Sequence, residues 1–184
     1  MSEAATARAA DVVAFWREAG PKAWFKKDEA FDADIRRRFL ATHEAAAAGQ
    51  LSAWEHGAKG ALALLILLDQ FPRNMFRGSP RMFATDPMAR AIAAGSIVRG
   101  HDAQVDKELR NFFYLPFEHS EDLADQERSV ALCKAAGDAD SLKWAEIHAD
   151  IIRRFGRFPH RNAVLGRATT PDEQKFLDDG GFGG

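Results

Sequence analysis

Arginine, histidine and amide side chains are concentrated in the stretch RFGRFPHRNAVLGR, which runs from Arg154 to Arg167. Gly156 is expected to end a helix and Pro159 to prevent it from resuming, so these side chains lie on a connection. Arginine binds carboxylates and phosphates in a bidentate manner, and histidine changes its charge near neutral pH. The side chains that could bind a ligand are Arg157, His160, Arg161 and Asn162. The stretch therefore predicts an anion-binding site in a loop.

The same side chains also have structural uses. A loop between helices leaves backbone carbonyls without partners, and arginine can donate to several of them. Arg157 or Arg161 could also neutralise Asp69, a carboxylate that follows the apolar run ALALLILL. A solvated position, which is usual for an isolated arginine, is expected of Arg153, Arg154 and Arg167. For Arg157 and Arg161 the sequence leaves the binding and the structural interpretation equally open.

A second stretch, DQFPRNMFRG, runs from Asp69 to Gly78 and repeats several of these residue types. We expect Pro72 to end the apolar helix before it. Arg73 can then donate to the last carbonyls of that helix, and Asn74 suits a turn. Asp69 either pairs with an arginine or has a raised pKa. We predict that this loop and the first one converge, with Asp69 and Arg73 contributing to one ligand site.

The third polar stretch, PFEHSEDLADQ, runs from Pro116 to Gln126. Ser120 is expected to cap a helix, which accounts for the acidic residues after it. Glu118 and His119 precede the cap, where side chains can project into a cleft. His119 could act as a general base whose pKa the carboxylates raise, or it could bind backbone at the helix entry.

One histidine lies on an apolar helix face. His148 follows Trp144 by four residues and precedes Ile151 and Phe155, which continue the same face. A histidine in such a position is more often a core residue than a catalyst. The helix leads directly into the first stretch, however, so His148 could form part of the floor of the site, where His119 or His160 would move a proton.

Sequence motifs for metals and cofactors do not occur. We find no HExxH, no paired Glu-x-x-His, no GxGxxG, no phosphate-binding GxxxxGK[ST] and no GxSxG. The single cysteine, Cys133, lies among alanine and leucine, where it is expected to pack. We therefore expect no cofactor and no metal site.

Composition and charge limit the class of protein. The chain has 184 residues, a net charge of -2 and 46% hydrophobic residues, which indicates one globular domain without a basic nucleic-acid-binding surface. Its apolar run is too short to span a bilayer, the N-terminal stretch lacks a signal-peptide pattern, and one cysteine suits the cytoplasm. We predict a single domain over residues 1–184, with residues 179–184 as a flexible glycine-rich tail whose Phe182 could dock onto the domain.

Helix caps, glycines and prolines mark the expected start or end of a helix in almost every segment. No alternating pattern typical of a strand appears. The short connections favour antiparallel helical hairpins in an all-α fold. Thr170 and Glu173 form a capping-box signature for the last helix. The expected helices cover residues 8–19, 28–48, 52–69, 86–100, 103–114, 120–137 and 141–155, with further starts at residues 79 and 170.

Several long motifs resemble a known family. LLDQFPRNMFRG, FFYLPFEHSEDLADQERSV and HADIIRRFGRFPHRNAVLGRATTPDE, with the opening FW, the later WF and the FD of AFDADIRRRF, are similar to the bacterial family called domain of unknown function 924. The resemblance covers essentially the whole chain. It implies an all-helical fold related to tetratricopeptide-like arrays, and it implies no reaction.

Three functions are consistent with these observations. In the first, the polar loops form a pocket that binds a small anionic molecule or catalyses its reaction, and the residues do not decide whether the protein is an enzyme. In the second, the chain is a non-catalytic tetratricopeptide-like module that binds an acidic peptide or protein terminus. In the third, the polar motifs only fasten loops to helices. We expect neither nucleic acid nor membrane as a partner, and the sequence leaves the oligomeric state open.

Overall fold

The computed structural model describes residues 6–183, and within them the regular structure is helical, without a strand. The predicted all-α class is confirmed. Residues 1–5 and Gly184, which belong to the N-terminal stretch and to the predicted tail, lie outside the described residues. Contacts divide the rest into two units: residues 6–77 with 81–116, and residues 78–80 with 117–183. The single domain and the tetratricopeptide-like arrangement stay predictions.

The helices of the first unit are α1 (Ala9–Ala19), α2 (Pro21–Trp24), α3 (Glu29–Ala47), α4 (Ala58–Leu65), α5 (Phe71–Met75), α6 (Asp86–Val98) and α7 (Lys107–Arg110). The short helix α8 (Leu115–Glu118) begins in the first unit and ends in the second. The second unit continues with α9 (Leu123–Ala136), α10 (Ala139–Phe155) and α11 (Pro171–Asp178).

Aromatic side chains fill the core of the first unit. The ring of Phe71 lies 4.9 Å from that of Phe39 and 5.6 Å from that of Trp16, measured between centroids. The apolar run that was expected to form a central helix is buried throughout residues 61–68, which confirms that neighbours surround it. No helix in the described part of the chain is both long enough and apolar enough to cross a membrane.

Pro72 does not end the apolar helix. The backbone widens into a π-helical turn at Ile66–Gln70 and continues as α5, with the Phe71 N–H donating to the Ile66 carbonyl. A proline has no N–H, and its ring clashes with the carbonyl four residues earlier in a regular α-helix. The wider turn removes that conflict, and the carbonyl of Leu68 instead accepts the Thr85 hydroxyl at 2.5 Å.

Two other predicted boundaries in the first unit are wrong. Residues Ser52–His56 form a 3₁₀ turn, and α4 starts only after the extended residue Gly57, so Ser52 caps no α-helix. The helix expected over residues 103–114 is broken into short turns because Val105 is extended. Pro116 lies in the first turn of α8, where its missing N–H needs no partner.

Local signals set most helix ends in the second unit. The left-handed residues Gly137 and Gly156 end α9 and α10, as predicted. The predicted capping box of Thr170 with Glu173 opens α11. Ser120, however, is not the cap of α9, because the Asp122 carboxylate accepts from the N–H of Ala124 at 2.8 Å and takes that position.

Candidate functional site

The loop between α10 and α11 is fastened by an arginine–carboxylate pair. Arg157 donates from Nε and Nη2 to the Glu173 carboxylate at 2.6 and 2.9 Å, and from Nη2 to the carbonyl of Ala168 at 2.8 Å. Glu173 also accepts the N–H of Thr170 at 2.8 Å. Donation from Arg157 lowers the pKa of Glu173 to about 2. In these contacts Arg157 has the structural use that the sequence left open, and its binding role stays a prediction.

A second pair joins this loop to the entry of α9. Arg167 donates to both carboxylate oxygens of Glu121 at 2.7 and 3.0 Å, and to the carbonyl of Phe158 at 3.1 Å. Burial raises the pKa of Glu121, but donation from Arg167 and from the Phe158 N–H outweighs it, so the pKa is lowered. The solvated position expected of Arg167 is therefore wrong. No local signal could identify this pair, since its members lie 46 residues apart.

Asn162 connects the two pairs. It is fully buried, its Oδ1 accepts from Arg167 at 3.0 Å, and its Nδ2 donates to Glu173 at 3.2 Å and to Thr169 at 3.3 Å. Both ends of the amide are thus engaged within the loop. Asn162 thus links the two arginine–carboxylate pairs of the loop. The ligand contact predicted for it stays a prediction.

Glu118 and His148 form a buried carboxylate–imidazole pair. Glu118 Oε1 lies 3.2 Å from Nδ1 of His148, with side chains only 4% and 8% exposed. The same Nδ1 lies 2.8 Å from the carbonyl of Trp144. Because a carbonyl only accepts, Nδ1 carries the hydrogen, and the lone pair of the neutral ring is on Nε2. The imidazole of His148 is therefore oriented in the way that a histidine acting as a general base requires, although it lies on the apolar face of α10.

Aromatic rings bring the second histidine close to the first. Phe158 is fully buried, and its centroid lies 5.6 Å from both His148 and His160. Phe182 approaches the same imidazoles at 4.5 and 5.3 Å. The Arg161 guanidinium carbon lies 4.5 Å from the Phe158 centroid, over the ring face. The structure thus groups His148, His160 and Arg161 around two phenylalanines, and we call this group the histidine site.

His160 is neutral over the physiological pH range. Its pKa is lowered to about 3, first by burial and then by the charges of Arg161, His148 and His119, while Glu121 opposes them. A base with such a pKa accepts protons poorly at neutral pH. Its Nδ1 is buried and has no hydrogen-bond partner among the described residues. A buried polar atom of this kind needs a partner, which a bound ligand could supply.

Gln126 fixes the backbone from which Glu118 and His119 project. Its side chain is fully buried, and its Nε2 donates to the carbonyls of Glu118 and Ser120, each at 2.6 Å. The side chain thus faces inward. His119 is half-buried. The role predicted for it as a general base tuned by Glu118 stays a prediction, and the carboxylate contact measured here is to His148.

The chain matches the family described as "Bacterial protein of unknown function (DUF924)" over residues 12–181. It belongs to that family. A solved structure of a protein of unknown function from Agrobacterium tumefaciens is 53% identical, with a TM-score of 0.90 and coverage of 93% of this chain and 97% of the other. No curated protein matches the chain. The comparisons confirm the resemblance seen in the motifs.

In this DUF924 protein Asp69 and Arg73 lie in the first unit. Asp69 is buried and accepts from the Gln70 amide at 2.5 Å, and Arg73 Nη1 lies 3.5 Å from its carboxylate. Arg73 also donates to both oxygens of Asp86 at 3.0 Å. These contacts give Arg73 a structural use. Ligand binding by Asp69 and Arg73, the pairing of Asp69 with Arg157 or Arg161, and the convergence of the two loops stay predictions.

Among the described residues of this DUF924 protein, no group of three or more histidine, cysteine or acidic side chains is placed to hold a metal ion. Cys133 is fully buried, and burial raises the pKa of its thiol to about 12, with Glu118 adding to the effect. A thiol with that pKa is not a nucleophile at neutral pH.

Proposed function

We propose that the histidine site binds a small anionic molecule and that His148, held by Glu118, transfers a proton to or from it. The observation that carries the proposal is the 3.2 Å contact between the buried Glu118 carboxylate and His148 Nδ1. A carboxylate that orients a histidine is the arrangement in which imidazole acts as a general base.

Stability alone gives a weak reason for this pair. A buried ion pair or carboxylate costs desolvation energy, and apolar side chains of the same volume often stabilise a core as well or better. His148 nevertheless lies beside the fully buried Phe158, and Glu118 is itself 3% exposed. Titratable side chains that are kept in such surroundings are often functional.

Arg161 is the anion-binding group of the proposed site. Its guanidinium lies over the face of Phe158, and such stacking leaves the N–H donors at the edge of the plane, where carboxylates and phosphates bind. His160 would add a hydrogen bond without a second positive charge, because its pKa of about 3 keeps it neutral. A ligand with one anionic group and one exchangeable proton would satisfy both residues.

A second candidate function is recognition of an acidic peptide end without catalysis. It is favoured by the position of Phe182, a side chain of an irregular segment that lies against His148 and His160 as a bound peptide would. In this alternative Arg161 would bind the peptide carboxylate. We also infer that the protein acts in the cytoplasm, since a sequence with a single cysteine suits a reducing compartment.

A thermal-shift screen tests the proposal. Wild type, Arg161→Gln and Arg154→Gln would be compared in phosphate, nucleotides, dicarboxylates and acidic peptides. Arg154 is a matched control because its side chain is half exposed and lies over Phe155 and Phe176. A ligand at about a hundred times its Kd adds roughly 2.7 kcal/mol, which raises the Tm by several degrees.

The expected result is that one class of anion raises the Tm of wild type and Arg154→Gln but not that of Arg161→Gln. Stabilisation by acidic peptides alone would support the binding module over the acid–base site. An equal shift in all three proteins would place the anion elsewhere, and the absence of any shift would remove the anion-binding proposal.

A further inference from the structure

Phe182 occupies a defined aromatic position in the histidine site. Its ring centroid lies 4.5 Å from that of His148 at an interplanar angle of 61°, and 5.3 Å from that of His160 at 81°. Trp144 borders it at 6.3 Å. The two histidine contacts are edge-to-face, a geometry that aromatic pairs prefer. The site therefore contains a position that is complementary to a six-membered ring.

The segment that carries Phe182 is attached mainly by side-chain contacts. The chain turns at Gly180, which has φ of 81°, and the N–H of Gly181 donates to the carbonyl of Phe176 at 2.9 Å. Beyond Gly181, no backbone hydrogen bond joins the segment to the rest of the described chain. The ring can therefore leave its position by rotation about the adjoining glycines, without breaking helical hydrogen bonds.

We propose that the position of Phe182 is the binding position of an aromatic ring of the ligand, so that the ligand is an aryl phosphate or aryl carboxylate. This inference rests on the proposed anion-binding function and adds the chemical class of the ligand. Arg161, which lies on the Phe158 face, binds the anionic group, and the aryl ring displaces Phe182 from the two imidazoles. Phe182 covers both histidines when the ligand is absent.

Displacement of Phe182 predicts a specific pattern of affinities. A ligand that must displace a covering group binds more weakly than one that enters an open site, in proportion to the uncovered fraction. Removal of the ring by Phe182→Ala should therefore strengthen the binding of phenyl phosphate by about tenfold, if about a tenth of the molecules are uncovered. Inorganic phosphate has no ring, and its affinity should change by less than about threefold.

Calorimetric titration of both compounds into wild type, Phe182→Ala and Phe25→Ala would measure these affinities. Phe25 is a matched control because it is 67% exposed and belongs to the first unit. Tighter binding of phenyl phosphate to Phe182→Ala alone is the expected result. Unchanged or weaker binding of phenyl phosphate overturns the inference. Phe182 would then either make no contact with the ligand or contact it directly without being displaced. If inorganic phosphate binds through Arg161 in that case, the proposed function survives without the aryl ligand.

A second experiment does not depend on any anion. Diethyl pyrocarbonate modifies accessible neutral imidazoles, and peptide mapping reports its rate at each histidine. Phe182→Ala should accelerate modification of His148 and His160 several-fold relative to His43, which is buried in the first unit. Gly181→Ala should do the same, since an added Cβ would lie 2.5 Å from the Phe176 ring and shift the segment. Unchanged rates in both variants would show that Phe182 does not cover the histidines, whatever the calorimetry gives.

Discussion

The carboxylate of Glu118, at the end of α8, lies 3.2 Å from Nδ1 of His148, in the middle of α10. Two hydrogen bonds hold Glu118 and His148 in this contact. The Gln126 amide donates to the Glu118 carbonyl and holds the turn, while the Trp144 carbonyl accepts from His148 and sets the orientation of the imidazole. Both side chains are thus positioned by groups outside the pair, as preorganisation of a site requires.

Glu118→Gln tests the chemical part of this relationship. An amide of the same shape retains an acceptor for His148, so the free energy of unfolding should change by no more than about 1 kcal/mol. The neutral amide no longer favours an imidazolium, so fewer protons should be taken up when an anion binds. Calorimetry of anion binding in buffers with different ionisation enthalpies measures that uptake. Unchanged proton uptake in Glu118→Gln would contradict the role of Glu118.

Asn162→Ala tests the loop network. The substitution removes the hydrogen bonds to Glu173, Thr169 and Arg167 at a fully buried position. Loss of a buried group with several partners should lower the free energy of unfolding by about 2–3 kcal/mol in urea denaturation. Gln50→Ala removes an exposed amide and should change it by less than about 0.5 kcal/mol. Equal stability of the two variants would indicate that the network does not fasten the loop.

The neutral state of His160 predicts a dependence of stability on pH. Its pKa falls from 6.5 to about 3 on folding, so between these values the unfolded chain binds a proton that the folded chain does not. The free energy of unfolding should therefore decrease as the pH falls from 6.5 towards 3, with no contribution from His160 above that window.

Chemical denaturation between pH 7 and 5 measures this slope, and His160→Gln should flatten it. Part of the slope should remain, because burial also lowers the pKa of His43. If the free energy of unfolding of His160→Gln depends on pH as strongly as that of the wild type, His160 is not buried in the neutral form.

Local signals were sufficient to predict much of the second unit from sequence. Gly137 and Gly156 end helices because they reach the left-handed conformation, and the Thr170 capping box depends on residues only three positions apart. The sequence also identified His148 and His160 as candidates. Their grouping with Phe182 was not predictable, since it arises from packing between segments distant in sequence.

Two errors have a common cause. The end of a helix at Pro72 and the solvated position of Arg167 were inferred from residue types alone. In the structure a π-helical turn and the Thr85 hydroxyl accommodate Pro72, and Glu121 binds Arg167 from 46 residues away. Both outcomes depend on contacts with residues distant in sequence, and the intrinsic propensities of single residues cannot predict such contacts.

Binding of an anion at the histidine site can be observed by side-chain NMR of the histidine rings while inorganic phosphate and succinate are titrated into the wild type. We expect saturable shifts of the His148 and His160 resonances, with His43 of the first unit unchanged, and loss of those shifts in Arg161→Gln. Shifts confined to other histidines, or shifts of His148 and His160 that persist in Arg161→Gln, would contradict binding of the anion at this site.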